Sequence, residues 1–216
     1  MNNSSLFSET VITDRGKRAL DRLKEVFSAS DLPAGWTAFA ASDNGINDLY
    51  MNLNRQLGEG KLERKTKLLI AVAVASAKGS ADAVQFFGRA AVASGRTAID
   101  VMEAIGAATT CSMFNGYYRF KDQIPEEDRA TFEAFKAPFN ANVFVKPALS
   151  LLENEAICIA VSSLNGCHKC VAGHIAKGKT VGLTDEQIDE IIRAGAAAAA
   201  AAQVALALGT PFPTAR

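Results

Sequence analysis

The chain has 216 residues, 49% of them hydrophobic, which is enough to enclose a substantial core and too apolar for intrinsic disorder. Its 23 basic and 23 acidic side chains cancel, and it carries neither a basic run nor a basic stripe interleaved with aromatics. Nothing here offers a surface to a phosphate backbone, so no nucleic acid is expected as a partner.

The opening stretch, Met1 to Asp14, carries Asn2, Asn3, Ser4 and Ser5 where a secretion signal would be basic, and no apolar run follows, so a cytoplasmic chain is expected. Apolar residues then recur at helical spacing over Gly16 to Ser28, Ala40 to Leu57, Glu63 to Ala77, Ala81 to Ser94 and Thr97 to Phe114. Trp36, Phe39 and Tyr50 are expected to close the core rather than cover an oligomer interface. The same spacing continues over Glu126 to Phe135, Ser150 to Leu164, His168 to Lys177 and Thr184 to Leu208. Breakers stand between these segments at Pro33 with Gly35, Gly58 with Gly60, Lys78 with Gly79, Gly95, Pro125, Pro138, Gly166 and Gly182. Alternating β-branched runs are nearly absent, so the fold class is all-α. The most hydrophobic stretch, Ala194 to Leu208, is alanine-rich, interrupted by Gly195 and Gln203, and shorter than the roughly 20 residues a bilayer needs; it reads as a packed core helix, with no membrane involved.

Displacing the chain by 87 residues lays Gly79 on Gly166, Gly95 on Gly182, Thr97 on Thr184 and Glu103 on Glu190, with Ala73-Val74 on Ala160-Val161. Glycines that coincide at breaks are not a product of alanine-rich composition, so two related helical halves are expected. The organisation inferred is a helical extension, 1–56, packed on a first half, 57–125, and a second half, 126–216. Opposite Glu155, Cys167, Cys170 and His174 of the second half stand Leu68, Ser80, Ala83 and Phe87, none of which does thiol or proton chemistry. Any active site therefore belongs to the second half.

That half holds both histidines of the chain, within Glu155-Ala-Ile-Cys-Ile-Ala-Val-Ser-Ser-Leu-Asn-Gly-Cys167-His-Lys-Cys170-Val-Ala-Gly-His174. A helix starting near Gly166 sets Cys167, Cys170 and His174 on one stripe. Cysteines in a first helical turn sit at the positive end of the backbone dipole, which favours the reactive thiolate; this argument alone favours Cys167, the nearer to the start. His174 is spaced to exchange a proton with Cys170. Glu155, on the preceding helix folded back over Asn165-Gly166, is placed to orient the imidazole. Glu153 competes for that role, but two residues turn a helix through roughly 200° onto another face. His168 and Lys169 point away from Cys170 and are not assigned to catalysis. A zinc-stabilised, non-enzymatic module is the competing structural reading, yet Cys167, Cys170 and His174 give three ligands where a closed site wants four, so no metal is assigned. Cys111 and Cys158 each sit alone in an apolar stretch and read as small core residues.

Glu155, then Cys-x-x-Cys twelve positions on, then x-x-x-His, resembles the signature of the alkyl hydroperoxidase D family, within the wider carboxymuconolactone decarboxylase-like group. The Ala160-Val-Ser-Ser-Leu-Asn-Gly-Cys167 run, the Asn115-Gly-Tyr-Tyr118-Arg119 segment and the helix ending Ala205-Leu-Ala-Leu-Gly209 extend the resemblance over about Leu57 to Gly209. It implies an all-helical fold of two halves and a homo-oligomer, with the trimer favoured. It also implies a peroxidase without bound cofactor, in which Cys170 attacks a hydroperoxide, Cys167 resolves the sulfenic acid as a disulfide, and His174 with Glu155 relays protons. An external dithiol, in the best-known members a dihydrolipoyl protein, restores the thiols, and a peroxiredoxin is a further partner. One departure is Lys169, which stands where those members have a histidine; it bears on efficiency and on the electron donor. A dithiol–disulfide oxidoreductase acting on a protein is the alternative that uses the same cysteines. Decarboxylation would leave Cys-x-x-Cys without a task.

Overall fold

The computed structural model describes residues 11–136 and 139–209; Pro138 and the first ten residues of the Met1–Asp14 stretch lie outside them. Among the described residues the chain forms eleven helices and no strand. They are α1 (Asp14–Phe27), α2 (Ala34–Phe39), α3 (Asp43–Gln56), α4 (Arg64–Ala77), α5 (Ala81–Ala93), α6 (Ala98–Asp122), α7 (Glu126–Glu133), α8 (Asn142–Val145), α9 (Leu151–Leu164), α10 (His168–Thr180) and α11 (Asp185–Gly209).

Two helices are apolar on every face and form the centre. In α4 every residue from Thr66 to Ala75 is buried, and in α9 every residue from Ala156 to Ser162. Hydrophobicity all round a helix demands neighbours on all sides. The long helices α6 and α11 supply them, with α5 laid on α4 and α10 on α9. The alanines and glycine of α11 at 194, 195, 198, 199, 201, 202 and 205 are buried. Gly195 meets Ala160 closely enough that an added Cβ would lie 3.2 Å from the alanine's, so small residues here let two backbones approach. Length and apolarity alone would let α11 cross a membrane, but half of its apolar window is buried inside the fold.

The internal repeat is carried in full by the helices. α4 and α9 each have 14 residues, α5 and α10 have 13, and α6 and α11 have 25, every member starting 87 positions after its counterpart. The turns agree too. Gly79 and Gly166 end α4 and α9 at φ +76° and +68°, while Gly95 and Gly182 follow α5 and α10 at +95° and +104°. That left-handed backbone costs glycine almost nothing and strains other residues, which is why glycine marks both copies.

The leading helices pack on α11 through α2 and α3, with α5 beside them. The buried Trp36 donates from Nε1 to the carbonyl of Ala201, 2.9 Å away, and Gly35 lies so near α11 that an added Cβ would fall 2.7 Å from the carbonyl of Val204. Phe27 and Trp36 meet Phe86 and Phe87 of α5 in a cluster of edge-to-face and tilted rings with centroids between 4.7 and 6.3 Å apart. Phe39 and Tyr50 are half-buried against the same core.

Four elements depart from the sequence expectation. The helix expected over Ala40–Leu57 begins instead at Asp43, as α3, because the Ser42 hydroxyl caps it by accepting from Gly45 N at 3.3 Å, and the short helix α2 stands before it where only the breakers Pro33 and Gly35 were marked. The helix expected to stop at Phe114 runs on to Asp122, since Asn115 is buried and hydrogen-bonded within it. The single turn α8 carries too few residues for any periodicity to show.

Candidate active site

The second half turns back on itself between α9 and α10, and the geometry there begins with Glu153. Ser150 caps α9 and accepts from Glu153 N at 3.3 Å, while the Glu153 carboxylate accepts from Ser150 N at 3.0 Å. This capping box fixes the helix start. The same carboxylate pairs with Arg96 and accepts from Thr66 Oγ1. Glu153 is thereby committed to joining the two halves. Glu155, two residues on, is turned to the opposite side, where its Oε2 lies 2.7 Å from His174 Nδ1 with both side chains mostly buried.

Cys167 is the N-cap residue of α10, and no side chain caps that helix start. Its sulfur is bonded to that of Cys170 in the third helical position, with the Cα atoms 5.3 Å apart. Exposure separates the two: Cys167 is 0% exposed, whereas Cys170 is partly exposed and lines a cavity of about 500 Å³. Phe114, Tyr118 and Phe144 give that cavity apolar walls, Lys169 and Lys177 stand at its edge, and His174 and Cys111 complete it. Lys169 is held outward by Asp122 at 2.7 Å, and His168 is exposed. The four residues singled out in the sequence, Glu155, Cys167, Cys170 and His174, thus converge on one place.

The sequence missed the other side of His174. Cys111 from α6 and Cys158 from α9 are buried, as core residues should be, but they are not alone: their sulfurs and a ring nitrogen of His174 all lie within 4.8 Å of one another. No hydrogen bond joins His174 to Cys170 among the described residues. With Nδ1 on Glu155, Nε2 is the nitrogen left for the thiols. A signal was present, since Glu155 and Cys158 are one helical turn apart on the same face. A polar chain continues from there: Cys111 Sγ lies 3.1 Å from Ser162 Oγ, which accepts from Asn115 Nδ2 at 3.0 Å. Asn165, at the turn before Cys167, donates to Asn115 Oδ1 at 3.0 Å.

This setting shifts protons. Hydrogen bonds from Cys158, His174 and Ser162 hold the Cys111 thiol down at about 5 despite burial, while Cys158, the donor, is pushed well up. Burial opposes charge on His174, but hydrogen bonds with Cys111 and Glu155 outweigh it and raise the ring to about 9. Because that value exceeds the ordinary 6.5, the charged ring stabilises the fold fully below pH 6.5 and loses this contribution as pH rises to about 9. The lowered Cys111 thiol contributes in the opposite sense over the same range, so urea midpoints of the reduced protein should rise less, or fall more, between pH 7 and pH 9.5 than those of His174→Gln, where the thiol's contribution is left unbalanced; parallel curves would show that the ring is uncharged at pH 7.

The comparisons with known proteins agree with this architecture. The sequence profile of the carboxymuconolactone decarboxylase family matches residues 40–116 and 129–210, starting inside the segment set apart above as 1–56. The chain is 32% identical to alkyl hydroperoxide reductase AhpD of Anaeromyxobacter dehalogenans over 158 residues, 72% of this chain and 81% of that protein. It is 31% identical to AhpD of Hyphomonas neptunium, over 73% of this chain and 85% of the relative, and 30% identical to AhpD of Methylocella silvestris, over 72% and 85%. Two profile matches fall on the two helical halves, and the relatives cover most of the chain, so the chain belongs to the carboxymuconolactone decarboxylase family as an AhpD-like member.

Proposed function

We propose that the chain is an oxidoreductase that reduces organic hydroperoxides to alcohols through Cys170 and Cys167. The observation that carries this is the unequal placement of the bonded pair: Cys170 opens on an apolar-walled cavity that also holds His174, and Cys167 is sealed behind it. That order suits an attacking thiol and a protected resolving thiol, and it reverses the preference for Cys167 that helix position alone suggests. The name shared by the relatives supports the same chemistry.

In the reduced protein, the Cys170 thiolate lies in the first turn of α10, where uncapped backbone N–H groups favour negative charge. It attacks the terminal oxygen of the hydroperoxide. The O–O bond breaks, the departing alkoxide takes a proton from the Glu155-oriented His174, and Cys170 becomes a sulfenic acid. The Cys167 thiol then attacks that sulfur, water leaves, and the disulfide seen in the structure results. An external dithiol returns both cysteines to thiols. A dihydrolipoyl protein is the donor proposed, in a cytoplasmic homo-oligomer, the trimer favoured, with a peroxiredoxin as a further partner.

The test is a thiol count on fully reduced protein before and after one equivalent of tert-butyl hydroperoxide, with peptide mapping. Loss of two thiols as a Cys167–Cys170 bond, with one alcohol formed, is expected. Unchanged thiols would remove the peroxidase reading, and efficient turnover of protein disulfides in their place would make the chain a dithiol oxidoreductase.

A further inference from the structure

Cys111 and Cys158 have no part in the cycle above, yet their place is not that of inert core residues. They come from different helices, 47 positions apart, and meet on the face of His174 that Glu155 leaves free. Cys111 is only 2% exposed, but it forms part of the wall of the cavity that Cys170 enters. The thiol has three polar neighbours, Ser162 Oγ at 3.1 Å, Asn115 Oδ1 at 3.7 Å and the Cys158 carbonyl at 3.8 Å. Packing alone does not call for a serine and an asparagine, both buried, around a core sulfur.

We propose that Cys111 and Cys158 are a second peroxide-reactive thiol pair, sharing the cavity and His174 with Cys170. The Cys111 thiolate attacks the terminal oxygen of a hydroperoxide, the O–O bond breaks, and the alkoxide leaves as the alcohol with a proton from His174. Cys111 is then a sulfenic acid. The Cys158 thiol attacks its sulfur, water departs, and a Cys111–Cys158 disulfide remains, so two thiols have given two electrons to one peroxide. The two sulfurs are already neighbours and need close only to the bond length of about 2.05 Å. Burial shields this disulfide from external reductants. It is emptied by exchange with the Cys170/Cys167 dithiol in the same cavity, which leaves the Cys167–Cys170 disulfide and two free thiols, the state that the structure holds. The depressed thiol of Cys111 and the raised imidazole of His174 suit this role.

The proposal rests on the peroxidase reading for its substrate, and the experiment separates the two. The double variant Cys167→Ser/Cys170→Ser, reduced, chelator-treated and shown by circular dichroism to be helical, is given excess tert-butyl hydroperoxide. Both remaining thiols should disappear, with one alcohol formed per chain and a Cys111–Cys158 bond on peptide mapping. Adding Cys158→Ala should leave a sulfenic acid trappable by dimedone on Cys111. As a parallel arm that needs no variant, wild-type protein with its Cys167–Cys170 disulfide intact should lose its two free thiols to the same reagent. Retention of both thiols in that arm, or in the folded variant, overturns the proposal, whether they stay as core thiols or hold a metal ion found by elemental analysis. If reduced wild type forms Cys167–Cys170 with one equivalent of peroxide while Cys111 and Cys158 survive excess peroxide in both arms, the peroxidase reading stands and only the second pair falls.

Discussion

Replacing Cys170 by serine is expected to lower steady-state hydroperoxide turnover by on the order of 10³-fold or more, followed as alcohol formed with dihydrolipoamide as reductant. A hydroxyl at this position keeps the volume but does not ionise near neutral pH and forms no disulfide, so both attack and resolution are lost. Any oxidation of the remaining cysteines is confined to a single stoichiometric event. Cys167→Ser should behave differently: attack survives, resolution does not, and one sulfenic acid on Cys170 should be trapped by dimedone. A sulfenic acid found on Cys167 in Cys170→Ser, with none on Cys170 in Cys167→Ser, would exchange the roles and show that helix position outweighs access to the cavity.

The second large effect separates two glutamates on one helix. Glu155→Gln should slow turnover by about 10²-fold, because the amide still touches His174 Nδ1 but no longer supports charge on the ring. Folding should be little affected. Glu153→Gln should do the reverse. It leaves Arg96, mostly buried, without its counter-charge where the halves join, and stability should fall by about 3 kcal/mol in urea unfolding while turnover per folded molecule holds. Equal loss of rate in both variants would mean that the carboxylates act together through α9 rather than by facing opposite ways.

Much of this arrangement was legible because the residues that mark it are local. Gly79, Gly95, Gly166 and Gly182 end helices by backbone conformation alone, and their common displacement exposed the two halves before any contact was known. Glu155 and His174 could be paired because α9 and α10 are joined by the short Asn165-Gly166 turn and must lie against each other. What stayed hidden depended on contacts between distant segments. The helical spacing was followed only to Phe114, and the bonds of the buried Asn115 to Ser162 and Asn165, which hold α6 beyond that point against α9, come from distant segments. Cys111 and Cys158 looked solitary for the same reason, since α6 and α9 must pack before their sulfurs meet. The expected stripe set Cys170 and His174 on one side of α10, where both line the cavity, but did not show Cys167 buried at the helix cap or what lies across from the ring.

The bond from Trp36 to the Ala201 carbonyl spans 165 residues, and α2 lies directly on the backbone of α11. During synthesis, then, the N-terminal helices wait for most of the chain before their own burial can finish. Closing so long a loop is costly in entropy and slow compared with winding individual helices. Because Trp36 is the chain's single tryptophan, its fluorescence should report that last docking event and little of what precedes it, a built-in clock for when the fold is complete.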